Sequence, residues 1–295
     1  METVGFVGLG KIGLPLAQNL IASGYRVLGF RRGAMDEFEK IGGIPARSPA
    51  DIGAQADMVF SCLPSSAALE EVVQGAKGLV HAARPGQVIV ELGSHPVPVK
   101  ERQIAPLAAK GAVFIDGEVS GTPGMVAQRK AVIYLGGPAD AVKRVEPVVA
   151  GFADLCLHLG DFGAATKVKL VNNFLVALHI AGTAQAMALG LKSGVDKDLL
   201  IKAVVTGSGG STQFGIRAPW MAERRFLPVQ GTAATLVHYL ETAKAMADDA
   251  GIATDLIDVM IDVYQRAVPA VGERDVAAIV ELFESTSRSA RGAHP

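Results

Sequence analysis

Three groups of residues have the types and spacing to do chemistry together. The short apolar run 4–7 leads directly into Gly8-Leu9-Gly10-Lys11-Ile12-Gly13 and then into an amphipathic stretch. In that setting the first glycine permits a tight turn, the second lets a pyrophosphate approach the backbone, and the third packs helix against strand. Phosphate oxygens then meet free amides at the helix N-terminus. The second apolar run ends in Leu28-Gly29-Phe30-Arg31-Arg32. A site selective for NAD usually carries Asp or Glu there to bind the ribose 2′-hydroxyl. Two guanidiniums in its place suit a 2′-phosphate, through paired charge-assisted hydrogen bonds, so NADP is expected over NAD. Lys169 and Asn173 form the third group. Four residues apart on one helix, they project from the same face and can meet one ligand.

The elements that must position these residues follow from the apolar pattern. Residues 4–7, 26–30, 58–63, 88–92 and 113–115 read as buried strands, because each is short, β-branched or aromatic, and bounded by Gly, Pro or Asp. Helical stretches such as 12–23, 67–74 and 97–110 lie between them, an alternation that builds a parallel, doubly wound sheet. After Gly160-Asp161-Phe162-Gly163 strand-like alternation almost vanishes, and helical periodicity runs through 164–192, 229–249, 255–266 and 275–284. The expected architecture is an α/β Rossmann-type domain, residues 1–161, that binds NADP. An all-α domain, residues 162–295, follows for substrate and oligomer contacts, and a long interdomain helix joins the two. The polar, basic end 286–295 is expected to fray.

Composition removes several function classes. With 49% hydrophobic residues among 295 the chain is no disordered segment, and 28 Lys+Arg against 29 Asp+Glu leave no positive field for nucleic acid. Cys62 and Cys156 sit in separate apolar runs, as buried thiols in a reducing cytoplasm would. The opening residues lack the basic stretch and apolar core of a secretory signal. The run 174–191 approaches the length of a membrane span, yet His179, Thr183 and Gln185 interrupt it, and there is no second span or aromatic belt. It reads as a helix buried on all sides, between domains or between subunits of a homo-oligomer, with no membrane partner. The six histidines show no pair at metal-ligand spacing, so no metal is expected.

Four blocks, in order and spacing, make the chain resemble the β-hydroxyacid dehydrogenase family over nearly its whole length. They are the Gly8 to Gly13 turn; Asp116-Gly117-Glu118-Val119-Ser120-Gly121-Thr122; Gly160-Asp161-Phe162-Gly163 leading to Lys169-Leu170-Val171-Asn172-Asn173; and the later helix ending at Gly251. The resemblance implies that Lys169 is the catalytic acid/base, that Asn173 helps hold the substrate, and that Ser120 and Gly121, with Thr122 beside them, fix its carboxylate. It also implies cofactor contacts at Leu63, Pro64 and Ser94. The implied reaction is hydride transfer between nicotinamide and a small 3-hydroxy acid or semialdehyde.

Several positions depart from the family pattern. Glu118 stands for a usual Pro, Thr122 and Ala165 for usual Gly, and His238-Tyr239-Leu240 for a Lys-Asp-Leu triplet whose Lys lies beside the cofactor. His238 can keep a polar contact there without a permanent charge. The stretch 207–211 either covers the pocket or merely connects helices. Two other readings compete: an imine reductase on the same fold, against which Lys169 is retained, and a non-catalytic NADP-binding protein, against which the Lys169–Asn173 pair is intact.

Overall fold

The computed structural model describes residues 2–285; the end expected to fray, 286–295, lies outside them. Eight strands form one sheet: β1 (Thr3–Val7), β2 (Arg26–Phe30), β3 (Ile44–Pro45), β4 (Met58–Ser61), β5 (Val88–Glu91), β6 (Val113–Ser120), β7 (Val132–Gly136) and β8 (Leu155–His158). Their order is β3-β2-β1-β4-β5-β6-β7-β8. Every neighbouring pair is parallel except β6 with β7. Strands β4 and β5 are buried throughout, which explains why they read as continuous apolar runs rather than alternating ones.

The sequence reading located β1, β2, β4 and β5 but stopped β6 early and missed β3, β7 and β8. Strand β3 has two residues, one of them proline. Strand β8 is an edge whose Leu155 and Leu157 stay exposed. Between β6 and β7 lies only the short helix Pro123–Ala127, which breaks the strand-helix alternation on which the reading relied. Asp116 and Glu118 look like breakers in sequence, yet β6 runs through them and pairs as far as Ser120 with Val132. The helix expected over 97–110 is divided into Val97–Glu101 and Ile104–Ala108. Pro106 has no N–H to give and its ring crowds the carbonyl four residues back, which accounts for the interruption.

The chain divides into two compact units, 1–169 and 170–295. The boundary expected near Asp161 lies before the helix Ala164–Lys192, whereas the division falls in that helix's second turn. The second unit holds Lys197–Thr206, Thr212–Glu223, Ala233–Asp249 and Asp255–Val271, then a short 3-10 turn and Val280–Glu284. Residues 207–211 connect the first two of these helices.

Ala164–Lys192 is long and apolar enough to cross a membrane by length and composition. In the single chain it is packed along one side. Ala177, Ile180, Ala181, Ala184, Met187 and Ala188 recur at helical spacing and pack into the second unit's core with Phe214, Leu240 and Tyr264. The Tyr264 hydroxyl donates to the Ala177 carbonyl at 2.8 Å, satisfying the one polar atom that this buried ring carries. The other side bears Val171, Leu175 and Leu189, which are 52%, 43% and 69% exposed. Small residues hide the amphipathic stripe, because alanine sits on the packed side as readily as leucine on the open one.

Candidate active site

The strand register brings the ends of three strands level. Val7 pairs with Phe30 of β2 and with Ser61 of β4, so the segments after β1, β2 and β4 leave the sheet along one edge. The strand order reverses between β1 and β4, where open α/β sheets form their binding crevice. Gly8 turns with φ +92°, and a Cβ there would lie 2.2 Å from the Cys62 carbonyl oxygen. A Cβ on Gly13 would lie 1.9 Å from the Gly8 carbonyl oxygen, so the helix Gly13–Ala22 can start against the strand only without a side chain. A Cβ on Gly10 would meet nothing within 4 Å, which leaves its backbone open to a ligand.

Residues 8–13, Arg31, Arg32, Leu63 and Pro64 line one cleft of about 980 Å³. The sequence reading missed Arg47, Ser48 and Lys77, which line it too. A signal for Arg47 existed only in the pairing of β2 with β3: Gly29 stands opposite Pro45 and the Ala46 amide donates to the Gly29 carbonyl at 2.8 Å, so Arg47 leaves the sheet beside Arg31. Arg31 Nη1 donates to the Leu9 carbonyl at 3.0 Å, fixing that arm to the glycine turn, while Arg32 is exposed. An open glycine backbone, a helix N-terminus and five basic side chains in the lining fit a nicotinamide dinucleotide, whose phosphates need amides and cations.

A buried polar cluster that takes in one predicted site residue, Ser94, lies at the ends of β5 and β6. Ser94 is not on the cleft lining; its hydroxyl donates to Glu118 Oε2 at 2.5 Å. The fully buried Lys100 donates to Asp116 Oδ1 at 2.8 Å, to the Gly117 carbonyl at 3.0 Å, and to Glu118 Oε1 at 3.3 Å. Thr166, in the first turn of Ala164–Lys192, donates its amide to Asp116 Oδ2 at 2.9 Å and its hydroxyl to Asp116 Oδ1 at 2.6 Å. Glu91 accepts from the Ser61 hydroxyl and from the Gly93 amide, with His95 Nε2 at 3.4 Å. Sequence reasoning found neither Lys100 nor Glu91, because a lysine in a helical stretch ordinarily faces water.

Lys169 is buried, one turn beyond Thr166 on the same helix face. Burial holds its ammonium below the usual lysine range, and the Glu118 carboxylate partly offsets that. Burial pushes the Glu118 carboxyl up, against the downward pull of Lys100, the Ser94 hydrogen bond and Lys169. Asn173 is buried, and its Nδ2 has no hydrogen-bond partner among the described residues. A buried amide N–H without a partner is costly unless a ligand supplies one.

Ser120 ends β6, and the Thr122 hydroxyl accepts from the Met125 amide at 3.3 Å, so Thr122 caps the next short helix. His238 is exposed on Ala233–Asp249, its ring 6.0 Å from that of Tyr239. Cys62 and Cys156 are free thiols. Burial, with Glu91 and Glu118 behind it, pushes the Cys62 thiol up to about 12, far from nucleophilic form. Among the described residues, no three His, Cys, Asp or Glu side chains are grouped to hold a metal ion.

Residues 3–160 match the NAD binding domain of 6-phosphogluconate dehydrogenase, and residues 163–283 match the NAD-binding domain of NADP-dependent 3-hydroxyisobutyrate dehydrogenase. The chain is 34% identical to the L-threonate dehydrogenase of Cupriavidus necator over 77% of its own length and 78% of that protein's. It is 29% identical to the NAD-dependent L-serine dehydrogenase of Pseudomonas aeruginosa over 97% and 99%. Among solved structures, the 3-hydroxyisobutyrate dehydrogenase of Mycobacterium tuberculosis, determined with L-serine, superposes with a TM-score of 0.86 at 24% identity, covering 97% of this chain and all of that one.

Proposed function

The chain belongs to the β-hydroxyacid dehydrogenase family of nicotinamide-dependent oxidoreductases acting on CH–OH, and from that premise we propose that it moves a hydride between NADP and a small 3-hydroxy acid or its semialdehyde. The observation that carries this reading is the buried Lys169 with Asn173 one turn further along the same helix, its Nδ2 lacking a partner. The bound nicotinamide supplies or accepts the hydride. Lys169 removes the hydroxyl proton during oxidation and returns it during reduction. Its depressed affinity for that proton suits the task, since a general acid/base works best when its pKa lies near the operating pH. Asn173 orients the reacting oxygen, while Ser120, Gly121 and Thr122 hold the carboxylate. Fixing both ends of a small substrate turns a chance encounter into an aligned one.

Residues 8–13, with Leu63 and Pro64, would hold the pyrophosphate of the cofactor, and Arg31 and Arg32 would supply the charge for a 2′-phosphate. Ser94 and His238 are further proposed contacts. The exposed stripe Val171, Leu175, Leu189 supports a homo-oligomer, which light scattering reads directly. Two free cysteines suit a reducing, cytoplasmic setting. The relatives' names, L-threonate and L-serine dehydrogenase, favour a small polar hydroxy acid as substrate.

The test is cofactor turnover, in both directions, over a panel of small 3-hydroxy acids, semialdehydes, ketones and cyclic imines. Activity confined to the acids and semialdehydes is expected. Activity on the imines alone moves the chain to imine reduction, and inactivity across the panel with tight NADP binding leaves a non-catalytic binder.

Cofactor choice has its own check. The double variant Arg31→Ala, Arg32→Ala is expected to weaken NADP binding and leave NAD binding similar or improved, each charged hydrogen bond contributing roughly 1.5–3 kcal/mol. Equal affinities of the unaltered protein for both cofactors, measured by fluorescence titration, would overturn the assignment to NADP.

A further inference from the structure

The buried polar cluster at the ends of β5 and β6 has a charge imbalance that singles out one residue. Asp116 and Glu118 are both fully buried, and among the described residues Lys100 is the one cation hydrogen-bonded to them. Lys100 leans toward Asp116, at 2.8 Å against 3.3 Å for Glu118. Asp116 also receives the Thr166 amide and hydroxyl at 2.9 and 2.6 Å, so its two oxygens are well served. Glu118 is served less evenly. Its Oε2 accepts from Ser94 at 2.5 Å, but its Oε1 has only the two long contacts, 3.3 Å each, to Lys100 and the Thr166 hydroxyl. One cation cannot neutralise two buried carboxylates. The other cation that acts on Glu118 is Lys169, three residues beyond Thr166 and therefore on the same helix face that Glu118 touches.

We propose that Glu118 is a positioning residue for Lys169: without an ion pair to it, the carboxylate beside that helix face keeps the Lys169 ammonium charged for the reacting oxygen, so that the proton is present when reduction needs it. This role rests on Lys169 being the acid/base group. Removing the charge of Glu118 leaves burial unopposed at Lys169, and the amine then loses its proton at lower pH. The other groups facing Glu118 are Asp116 on its own strand, Lys100 from Val97–Glu101, Glu91 and His95 from the end of β5, Cys62 from the end of β4, and Tyr134 opposite it in the β6–β7 register. Of these, only Lys100 can carry a positive charge without protonation of an imidazole, and it stays tied to Asp116 in a Glu118 variant.

The test compares pH profiles of kcat for the whole enzyme with Glu118→Gln and Glu118→Asp, in both reaction directions. Reduction needs the protonated lysine, so its rate falls as pH rises through the Lys169 pKa; oxidation needs the neutral amine, so its rate climbs through the same value. In Glu118→Gln both limbs are expected to move toward lower pH together, by roughly one unit, the size of effect that a close opposite charge exerts. Glu118→Asp, which keeps the charge, is expected to leave both limbs near their original position. Unmoved limbs in Glu118→Gln, or equal shifts in both variants, would overturn the role. Should Glu118→Gln fail to fold, Ser94→Ala carries the test. It leaves the carboxylate in place but removes the hydrogen bond that favours its ionised form, so the same limbs are expected to shift in the same direction by a smaller amount, and no shift refutes the proposal. Lys169→Ala separates the two levels: full activity there removes the acid/base assignment itself, whereas lost activity there with an unshifted Glu118→Gln profile removes Glu118 alone.

Discussion

Lys169→Ala is expected to lower turnover by roughly 100- to 10,000-fold while NADP binding stays nearly intact, the range over which a positioned general acid/base contributes. That corresponds to about 3–5 kcal/mol of lost transition-state stabilisation. The separation of the two effects follows from where the residues lie. The cleft that fits the dinucleotide is lined by the glycine turn, the segments after β2, β3 and β4 and nearby helical residues, and Lys169 is not among them. Deleting its side chain removes a proton donor and acceptor and leaves every cleft-lining side chain in place. A loss in kcat that is matched in kcat/KM is expected, because the proton moves only as the transition state forms. Single-turnover measurements with NADPH held saturating check this. Wild-type turnover in the variant would take Lys169 out of the mechanism, and a parallel loss of NADP affinity would show that the lysine supports the cleft rather than the reaction.

The glycine turn that lines the cleft was legible in the sequence because its requirements are local. A tight turn at Gly8, an open backbone at Gly10 and a close contact at Gly13 occur within six consecutive residues, and the flanking apolar runs announce the strand and helix on either side. Arg31 and Arg32 were legible for the same reason, since they follow directly on a strand. The face of Ala164–Lys192 that brings Lys169 and Asn173 into line is a matter of helical spacing, and the helix itself was read to its observed ends.

What escaped depends on partners distant in sequence. Arg47 reaches the cleft only because a two-residue strand pairs with β2, and no periodicity can be read from two residues. Asp116 and Glu118 looked like a strand's end because their compensation comes from Lys100, at the far side of a helix-strand connection, and from Thr166, some fifty residues later. In the run 174–191 the packed side was hidden for a different reason. Hydropathy does not distinguish an alanine packed against Phe214 and Tyr264 from a leucine left in the open, so the face that this chain packs on itself could not be read.

Lys100→Met carries the second large effect, on stability rather than rate. Burial alone would depress the Lys100 ammonium, but Glu118, Asp116 and Glu91, with the hydrogen bond to Asp116, outweigh it and raise the group above the ordinary lysine range. A folded-state pKa above the unfolded value means that Lys100 stabilises the fold fully below the unfolded lysine pKa, about 10.4, and loses that contribution as pH rises through the folded one. The variant therefore forfeits the contribution at neutral pH. Methionine fills much of the same space, so the loss is one of charge and not chiefly of packing. It leaves Asp116 and Glu118 buried with no cation bonded to either, and breaking a buried pair from one side typically costs about 3–5 kcal/mol. The urea transition of the sheet-bearing unit is expected to move to correspondingly lower denaturant at pH 7. The deficit should shrink toward pH 5. Deprived of Lys100, the Glu118 carboxyl, which burial already pushes up, loses its main downward pull, and a group shifted in that direction regains stability as pH falls through the folded value. An unchanged midpoint at pH 7 would mean that Thr166 and Ser94 satisfy the carboxylates of this cluster without its central cation. A deficit that is the same at both pH values would trace the loss to packing instead of charge.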